Sequence, residues 1–334
     1  MFGLKYYILQ NTKSIRNLEM LKKNLKEIDL ISPATPVSFE DNNLIKLFLN
    51  KYSLKYNFFH EDSVSLTKYN NNFFSTIGVE KRFCNLISSA ENPNSRILWC
   101  TRGGYGSADL LPLLAKYPNH KIPKKTLVGF SDITSIATFM QKKWGWHIIC
   151  APMLYQIIKK KVSDDSIEKI LNLILHKNQI LEYNLALLKG KESVLLSELV
   201  GGCLSVLCSN IGTKYQINWH NKILFLEDEG EDGERLDRYL TQIAFMINEN
   251  KQKPKAIILG NFLAGNEFGS PKSEKVEIAI KLFLKKILFD LPIYQEKNGI
   301  LGHSFNQEPI GLGIKTKISL DNKIQQKINL NILS

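Results

Sequence analysis

Short apolar runs alternate with helical patterns from about residue 27 to residue 153, and this alternation restricts the possible folds more than any other feature of the chain. Several runs have the length and β-branched content of buried strands, namely IDLISPA, SLKYNFF, RILWCT, KTLVGF and GWHIICAP. Helical stretches such as VEKRFCNLISSA separate them. Strands and helices at this spacing form right-handed βαβ units. The pattern therefore predicts an α/β fold with a parallel sheet, whose functional loops lie at the carboxyl ends of the strands.

One of these helical stretches, DNNLIKLFLN, has a predicted start and a predicted apolar face. Asp41 is a suitable cap residue, and Leu44, Leu47 and Phe48 recur at helical spacing. The sequence therefore predicts a helix that begins at Asp41 and turns these three side chains to one face.

The second half of the chain has shorter strands and more turns than the first half. Its strand-like runs include KILFLED and KAIILGNFL, its helical run is RLDRYLTQIAFMI, and its last segment contains GILGHSFNQEPIGLG. This mixture is typical of a smaller α+β or barrel-like domain. A chain of 334 residues is also long for a single core, so we expect two domains joined by a connecting segment.

The basic net charge of the chain has no concentrated source. Lysine and arginine total 44 residues against 32 acidic residues, which gives +12, but the basic pairs are spread along the chain. We interpret the charge as solvated surface and expect no nucleic-acid partner.

No apolar run approaches the roughly 20 residues that a membrane span needs, and the N-terminus lacks a secretory signal pattern. The 5 cysteines form no C-x-x-C pair and indicate a reducing compartment.

Two glycine-containing loops follow neighbouring strands and should face one crevice. The first is RGGYG, from Arg102 to Gly106, and the second is GFSD, from Gly129 to Asp132. RGGYG fits neither phosphate-binding template. Its glycines indicate either a tight turn with positive φ or a loop that brings backbone N–H groups close to a substrate, with Arg102 available for a carboxylate. GFSD places Ser131 either as a helix N-cap or as an exposed nucleophile.

A serine nucleophile would require a histidine and an orienting acid elsewhere in the chain. Of the 6 histidines, His303 stands out, because GILGHSFN brings a strand to a glycine and then exposes the imidazole at a turn. Glu227 ends the apolar strand ILFLEDE, whereas Asp228, Glu229 and Glu231 are interpreted as part of a solvated acidic turn. The order of serine, acid and histidine is that of the α/β-hydrolases. Metal catalysis is less expected, because the chain has no H-E-x-x-H motif and no cysteine–histidine cluster.

Several separate motifs follow one another in a characteristic order. They are ISPATPV, ILWCTRGGYGSADLLPLL, LVGFSDITS, GGCLSVLCSNIGT, ILFLEDEGE with LDRYLTQ after it, and GHSFNQEPIGLG. From about Leu25 to Asp321, the chain resembles the LD-carboxypeptidase family of serine peptidases. The resemblance implies an N-terminal Rossmann-like or flavodoxin-like α/β domain at 25–158 and a C-terminal α+β domain related to swivelling β-barrels at 193–334. Residues 159–192 would connect the two domains, and residues 1–24 would be an N-terminal extension.

The resemblance also implies roles for individual residues. Ser131 would be the nucleophile, Glu227 the acid that orients the histidine, and His303 the general base. The backbone N–H groups of Gly104 and Asp132 would form the oxyanion hole. The residues implied to bind substrate are Arg102, Gly103 and Tyr105.

The reaction implied by the resemblance is hydrolysis of the amide bond between meso-diaminopimelate and the terminal D-alanine of a murein tetrapeptide, in peptidoglycan recycling. It implies no cofactor and no metal, a homodimer and a cytoplasmic location. Two alternatives are an immunity-type member that cleaves a peptide-nucleotide antibiotic and an inactive murein-peptide-binding protein. The chain departs from the family pattern at Cys150 and Ala151, where His-Gly is frequent, and at Cys203, where Asn is frequent. These departures affect the shape of the pocket.

Overall fold

The computed structural model describes residues 27–59, 78–118, 122–175, 179–249, 252–263 and 274–328. In the first half of the chain, strands and helices alternate as the sequence predicts. Two short 3-10 helices, Ser107–Leu110 and Ser131–Ile133, lead into the helices that follow the third and fourth strands. The elements are β1 (Glu27–Ile31), α1 (Phe39–Lys51), β2 (Tyr56–Phe59), α2 (Val79–Glu91), β3 (Ser95–Cys100), α3 (Leu111–Leu114), β4 (Thr126–Val128), α4 (Thr134–Trp144), β5 (His147–Cys150), α5 (Leu154–Ile158) and α6 (Asp164–Leu175).

In the second half of the chain, strands follow one another more often and several pairs are antiparallel. The elements are β6 (Gln179–Lys189), β7 (Leu195–Cys203), α7 (Leu204–Ser209), β8 (Ile223–Glu229), α8 (Gly233–Asn248), β9 (Ala256–Leu263), α9 (Glu274–Lys286), β10 (Ile293–Glu296), β11 (Ile310–Leu312), β12 (Ile314–Ile318) and β13 (Lys323–Ile328).

The first sheet has the strand order β2-β1-β3-β4-β5-β11. Strands β1 to β5 pair in parallel, and β11 pairs with β5 in the antiparallel sense. The chain winds outwards from β1 in both directions, so the strand order reverses between β1 and β3. In doubly wound sheets, ligands bind outside the carboxyl ends of the strands at such a reversal. The predicted α/β fold class is confirmed, and the loops after β1, β3 and β4 meet at this edge.

The second sheet closes into a barrel with the strand order β10-β6-β13-β12-β7-β8-β9. The parallel pair of β9 and β10 completes the closure. Side chains inside the barrel are buried, including Leu185, Leu199, Phe225 and Ile258, and they belong to the same apolar cluster as Leu127 of the first sheet. The barrel and the sheet therefore share one core, and the predicted barrel-like second domain is confirmed.

Helices cover the outer face of the parallel barrel strands. Leu224 and Leu226 of β8 point outwards and pack with Leu240 of α8 and Phe283 of α9, whereas Phe225 points into the barrel. Because β8 is buried on both faces, its sequence is a continuous apolar run. None of the helices in the described segments is long and apolar enough to cross a membrane.

The strand pairing differs from the predicted segment boundaries at two places. Residues 179–189, which the sequence assigns to the connecting segment 159–192, form β6 inside the barrel. Residues 310–312, which the sequence assigns to the C-terminal domain, form β11 at the edge of the first sheet. Both pairings join residues that are distant in sequence, so local patterns do not reveal them. The predicted extension, residues 1–24, lies outside the described residues.

The predicted start of α1 is wrong, and the face that contains Leu44, Leu47 and Phe48 is not the buried one. Ser38 caps the helix, because its hydroxyl accepts a hydrogen bond from the Asp41 N–H at 3.1 Å. Ile45 and Leu49, one turn apart, are fully buried against the sheet, whereas Leu47 is 66% exposed. The apolar pattern of this helix is broad enough to fit several faces, and contact with the sheet selects the one that contains Ile45 and Leu49.

Candidate active site

Ser131 lies at the sharp turn that joins β4 to α4. Its φ is +61°, in the left-handed region, which costs a residue with a Cβ roughly 1–2 kcal/mol. The caps of the 3-10 helix and of α4 are Phe130 and Ile133, and neither helix start has a side-chain cap bond. The N-cap interpretation of Ser131 is therefore wrong. The turn instead places Ser131 beyond the carboxyl end of β4, where an exposed nucleophile would lie.

The RGGYG loop packs directly against this turn. Gly104 has φ of +96°, and a Cβ added there would lie 2.4 Å from Thr35 Oγ1. The same hydroxyl accepts a hydrogen bond from the Tyr105 N–H at 3.0 Å. A Cβ added to Gly103 would lie 3.3 Å from the Cβ of Ser131. The tight turn with positive φ is therefore confirmed at Gly104, and the close approach of the two loops favours glycine at position 103 as well.

A buried arginine and an aspartate hold the RGGYG loop in place. Arg82 of α2 donates to the carbonyl oxygens of Pro33 at 2.8 Å and Gly106 at 2.6 Å. The Ser107 N–H donates to Asp132 Oδ2 at 2.8 Å, and the Ser107 hydroxyl donates to the Asp132 carbonyl oxygen at 2.5 Å. Burial raises the pKa of the Asp132 carboxyl, and the hydrogen bonds from Ser107 oppose that shift. The loops after β1, β3 and β4 are therefore tied into one unit.

The second half of the chain contributes a buried histidine–carboxylate pair. His303 Nδ1 lies 2.6 Å from Glu227 Oε2, and the His303 backbone N–H donates to the same oxygen at 3.0 Å. Gly302 has φ of +94°, and a Cβ there would lie 2.6 Å from the Cβ of Glu227, so only glycine allows this approach. The Phe130 ring packs on the imidazole with centroids 4.6 Å apart. Glu227 thus orients the His303 ring, as the orienting acid of a catalytic histidine does.

The protonation of His303 is set by burial and by nearby carboxylates. Burial lowers its pKa, but the charge and hydrogen bond of Glu227, together with Glu229 and Asp228, raise it to about 9. Glu229 Oε2 lies 3.5 Å from His303 Nε2, the ring nitrogen on the opposite side from Glu227. Both ring nitrogens therefore face carboxylate oxygens, which favours the imidazolium form.

The acids after Glu227 are predicted to form a solvated turn, and this interpretation is wrong for Asp228. The Asp228 side chain is buried and accepts hydrogen bonds from the backbone N–H of Ser205 at 2.7 Å and from Cys203 Sγ at 3.3 Å. Glu229 is half-buried. Strand alternation could not have shown the burial of Asp228, because the register of β8 against β9 shifts between Leu226 and Asp228.

These elements surround a cavity of about 570 Å³. Five of the eight predicted site residues line this cavity, and the other three lie next to it. Glu227 hydrogen-bonds His303, and Gly103 packs on Ser131. The Arg102 guanidinium stacks on the Tyr155 ring, 4.4 Å from its centroid. The predicted residues that line the cavity are Gly104, Tyr105, Ser131, Asp132 and His303.

The described lining of the cavity is rich in acids. Besides His303, its charged side chains are Asp109, Asp132, Asp228, Glu229 and Glu231. Among the residues that the structure describes, no three or more histidine, cysteine, aspartate and glutamate side chains are grouped so that they could hold a metal ion. Of the positions that depart from the family pattern, Cys203 lines the cavity, whereas Cys150 and Ala151 are buried where β5 ends. All 5 cysteines are free.

Sequence reasoning missed the residues that hold the loops, above all Arg82. The helical spacing of Arg82 could have indicated its burial, because it lies four residues before Leu86 and seven before Ser89, on the buried face of α2. A charged residue on an apolar helix face requires buried partners, and here they are backbone carbonyl groups of two loops. The sequence of α2 does not predict which carbonyl groups these are, because they belong to other segments of the chain.

Two family models match the chain. The LD-carboxypeptidase N-terminal domain matches residues 28–151, and the LD-carboxypeptidase C-terminal domain matches residues 197–318. The chain belongs to the LD-carboxypeptidase family.

A protein of Rickettsia prowazekii described as a carboxypeptidase is 31% identical over 260 residues, which cover 76% of this chain and 77% of that protein. The murein tetrapeptide carboxypeptidase of Pseudomonas aeruginosa is 30% identical over 197 residues, 55% of this chain and 61% of its own length.

Solved structures share the fold of this chain. A muramoyltetrapeptide carboxypeptidase from Oxalobacter formigenes has a TM-score of 0.70 at 21% identity, over 91% of this chain and 98% of that one. The wild-type microcin C7 self-immunity protein has a TM-score of 0.70 at 19% identity, over 93% of this chain and 98% of that one. Family membership and the two-domain fold, both expected from the motifs, are therefore confirmed.

Proposed function

We propose that the protein is a serine carboxypeptidase that hydrolyses the L,D amide bond between meso-diaminopimelate and the terminal D-alanine of a murein tetrapeptide. The observation that carries this proposal is the His303–Glu227 pair, because His303 and Ser131 line the same cavity. Family membership supports the carboxypeptidase class, and the name of the Pseudomonas aeruginosa relative supports the substrate.

In the first half of the proposed reaction, Ser131 Oγ attacks the carbonyl carbon of the diaminopimelate residue. Neutral His303 accepts the serine proton at Nε2, while Glu227 accepts the hydrogen bond from Nδ1–H and stabilises the imidazolium. The N–H groups of Gly104 and Asp132 donate to the oxyanion of the tetrahedral intermediate. Donors held rigidly before the reaction stabilise such a charge without having to reorganise, and the anchored RGGYG loop would supply that rigidity.

In the second half, His303 returns the proton to the nitrogen of D-alanine as the amide bond breaks. The product leaves, and an ester between Ser131 Oγ and the shortened peptide is left behind. Water then attacks this ester and gives its proton to His303, which passes it to Ser131 Oγ as the peptide acid departs. The bonds and protons balance without a cofactor.

The charge of the cavity supports a substrate that carries an ammonium group. Asp109, Glu229 and Glu231 line it, and meso-diaminopimelate has a free amino group on the far end of its side chain. An opposite charge on the substrate offsets part of the cost of placing these carboxylates beside one another.

The first test measures free D-alanine released from L-Ala-γ-D-Glu-meso-diaminopimelate-D-Ala by the purified full chain. We expect release by the wild type and a loss of at least about 1000-fold in Ser131→Ala, because the nucleophile is absent. Ser319→Ala, in the turn between β12 and β13, is the matched control for a serine outside the cavity lining. Folded wild-type protein that releases no D-alanine would contradict the proposal.

A second candidate is cleavage of an aminoacyl nucleotide analogue. The microcin C7 self-immunity protein, which has the same fold, has been solved in complex with glutamyl sulfamoyl guanosine. Tyr105 lines the cavity with 55% of its surface exposed, and an aromatic ring there could stack on a base. Release of the amino acid from such a compound, with no release of D-alanine from the tetrapeptide, would select this candidate. Tight binding of the tetrapeptide without any hydrolysis would select the murein-peptide-binding alternative.

Three further expectations stay predictions, namely that the protein is a homodimer, that it acts in the cytoplasm and that it binds no nucleic acid. The first is checked by light scattering of the purified chain, and the second by fractionation of cells. The third is checked by titration with duplex DNA at two salt concentrations, where no salt-sensitive binding is expected.

A further inference from the structure

The ring of His303 is held from both sides by carboxylates of one strand. Glu227 Oε2 lies 2.6 Å from Nδ1, and Glu229 Oε2 lies 3.5 Å from Nε2. A ring nitrogen can donate to a carboxylate only when it carries a proton, so carboxylate oxygens beside both nitrogens favour the doubly protonated ring. A general base requires the opposite state, in which Nε2 presents a lone pair to the serine hydroxyl.

The groups around His303 come from several elements. The three carboxylates that raise its pKa all belong to β8, namely Glu227, Asp228 and Glu229. From the turn after β4, Phe130 contributes an uncharged ring, and from β9 the Asn261 amide donates to the His303 carbonyl oxygen at 3.1 Å. The charge of Lys161, in the segment after α5, acts on Glu229.

Of the three carboxylates, only Glu229 is placed to act on the nitrogen that the reaction uses. Glu227 is fully buried and engages Nδ1, and Asp228 is held by Ser205 and Cys203. Glu229 is half-buried and lines the cavity, so a ligand that enters can reach it. A half-buried carboxylate at the cavity wall can exchange its partner for a ligand or solvent, whereas the two buried ones cannot do so without leaving unpaired charge.

We propose that Glu229 is a positioning residue that keeps His303 protonated at Nε2 in the free protein, and that Nε2 must be released from Glu229 before Ser131 can be activated. The proton on Nε2 then passes to solvent through the cavity, and the lone pair turns to the serine hydroxyl. The role in catalysis rests on the proposed function, whereas the effect of Glu229 on the protonation of His303 does not.

The test is an NMR titration of the full chain labelled with ¹⁵N-histidine. His303→Gln identifies the resonances of His303 among the 6 histidines. In the wild type we expect the imidazole of His303 to titrate with a pKa of about 9. In Glu229→Gln we expect the midpoint to fall by about 1 pH unit or more, since an opposite charge at this distance shifts a pKa by about 1 to 3 units.

Two further variants separate the charge at position 229 from general effects on the cavity. Glu231→Gln removes another carboxylate from the cavity lining, but that carboxylate pairs with Arg235 Nε at 3.2 Å, so the pKa of His303 should not move. Glu229→Asp keeps the charge and should retain most of the high midpoint. The same midpoint in the wild type and in Glu229→Gln would overturn the proposal, as would equal shifts in Glu229→Gln and Glu231→Gln.

The activity assay gives a second, independent readout. The acidic limb of the kcat/KM profile reports the free protein, so it should move to lower pH in Glu229→Gln by the same interval as the NMR midpoint. A fall of about 1 unit from about 9 makes roughly ten times more neutral His303 available at pH 7. The position of the limb reports this change even where loss of the Glu229 carboxylate weakens binding of the substrate's ammonium group and lowers the plateau of kcat/KM. If no variant hydrolyses any substrate but the NMR shift is present, the proposed function fails and the effect of Glu229 stands. If hydrolysis occurs but its acidic limb does not move, the catalytic part of the inference fails.

Discussion

Replacement of Arg82 by methionine should weaken the fold and loosen the RGGYG loop. The Arg82 side chain is 2% exposed, and its two short hydrogen bonds join the Pro33 carbonyl, after β1, to the Gly106 carbonyl, after β3. A hydrogen bond from a charged donor contributes about 1.5 kcal/mol or more, so the loss of two costs about 3 kcal/mol. The ion pair with Asp109 adds little to this sum, because Asp109 is 57% exposed.

Urea unfolding of Arg82→Met measures this loss as a free energy of unfolding. Arg235→Met is the matched control, because the Arg235 side chain is 52% exposed and pairs with Glu231 and Asp232 just before α8, which predicts a loss of about 0 to 1 kcal/mol. Hydrogen exchange in native Arg82→Met should also rise at 103–107 more than elsewhere. Equal free energies of unfolding for the two variants, or unchanged exchange at 103–107, would refute the reasoning that a buried cation holds these loops.

Three other perturbations test separate parts of the site. Gly302→Ala introduces a Cβ 2.6 Å from that of Glu227 and should lower D-alanine release about 100-fold, which initial rates measure. Gly104→Ala should also reduce release, whereas Gly212→Ala has a similar positive φ in open space and should cost about 1–2 kcal/mol of stability without loss of activity. Because the pKa of His303 is raised in the folded protein, its contribution to stability should be complete below about pH 6.5 and lost towards about pH 9. Urea unfolding across this range should show that loss in the wild type and not in His303→Gln.

Much of the fold and several parts of the candidate site could be predicted because they are local. The apolar runs of β1, β3, β4 and β5 have the composition of buried strands, and their alternation with helices implies parallel pairing. The carboxyl ends of such strands meet at one edge, so RGGYG and Ser131 were expected beside each other, and the structure places Gly103 against Ser131. The required glycines were also visible, since RGGYG and LGH mark turns with positive φ.

The parts that could not be predicted depend on contacts between distant segments. Nothing in the local pattern of residues 179–189 shows that they complete a barrel, or that residues 310–312 extend the first sheet. The buried face of α1 could not be predicted for the same reason, because contact with the sheet buries Ile45 and leaves Leu47 exposed.

The sequence by itself determined which chemical groups this protein has and which strand ends carry them. Only the tertiary structure decided how those groups behave, because burial and charge depend on neighbours from the whole chain. Asp228 follows Glu227 in an apparently solvated run, yet it is buried among groups from β7 and α7. The ionisation of His303 likewise depends on carboxylates about 75 residues away, since a pKa responds to distance in space and to desolvation rather than to separation along the chain.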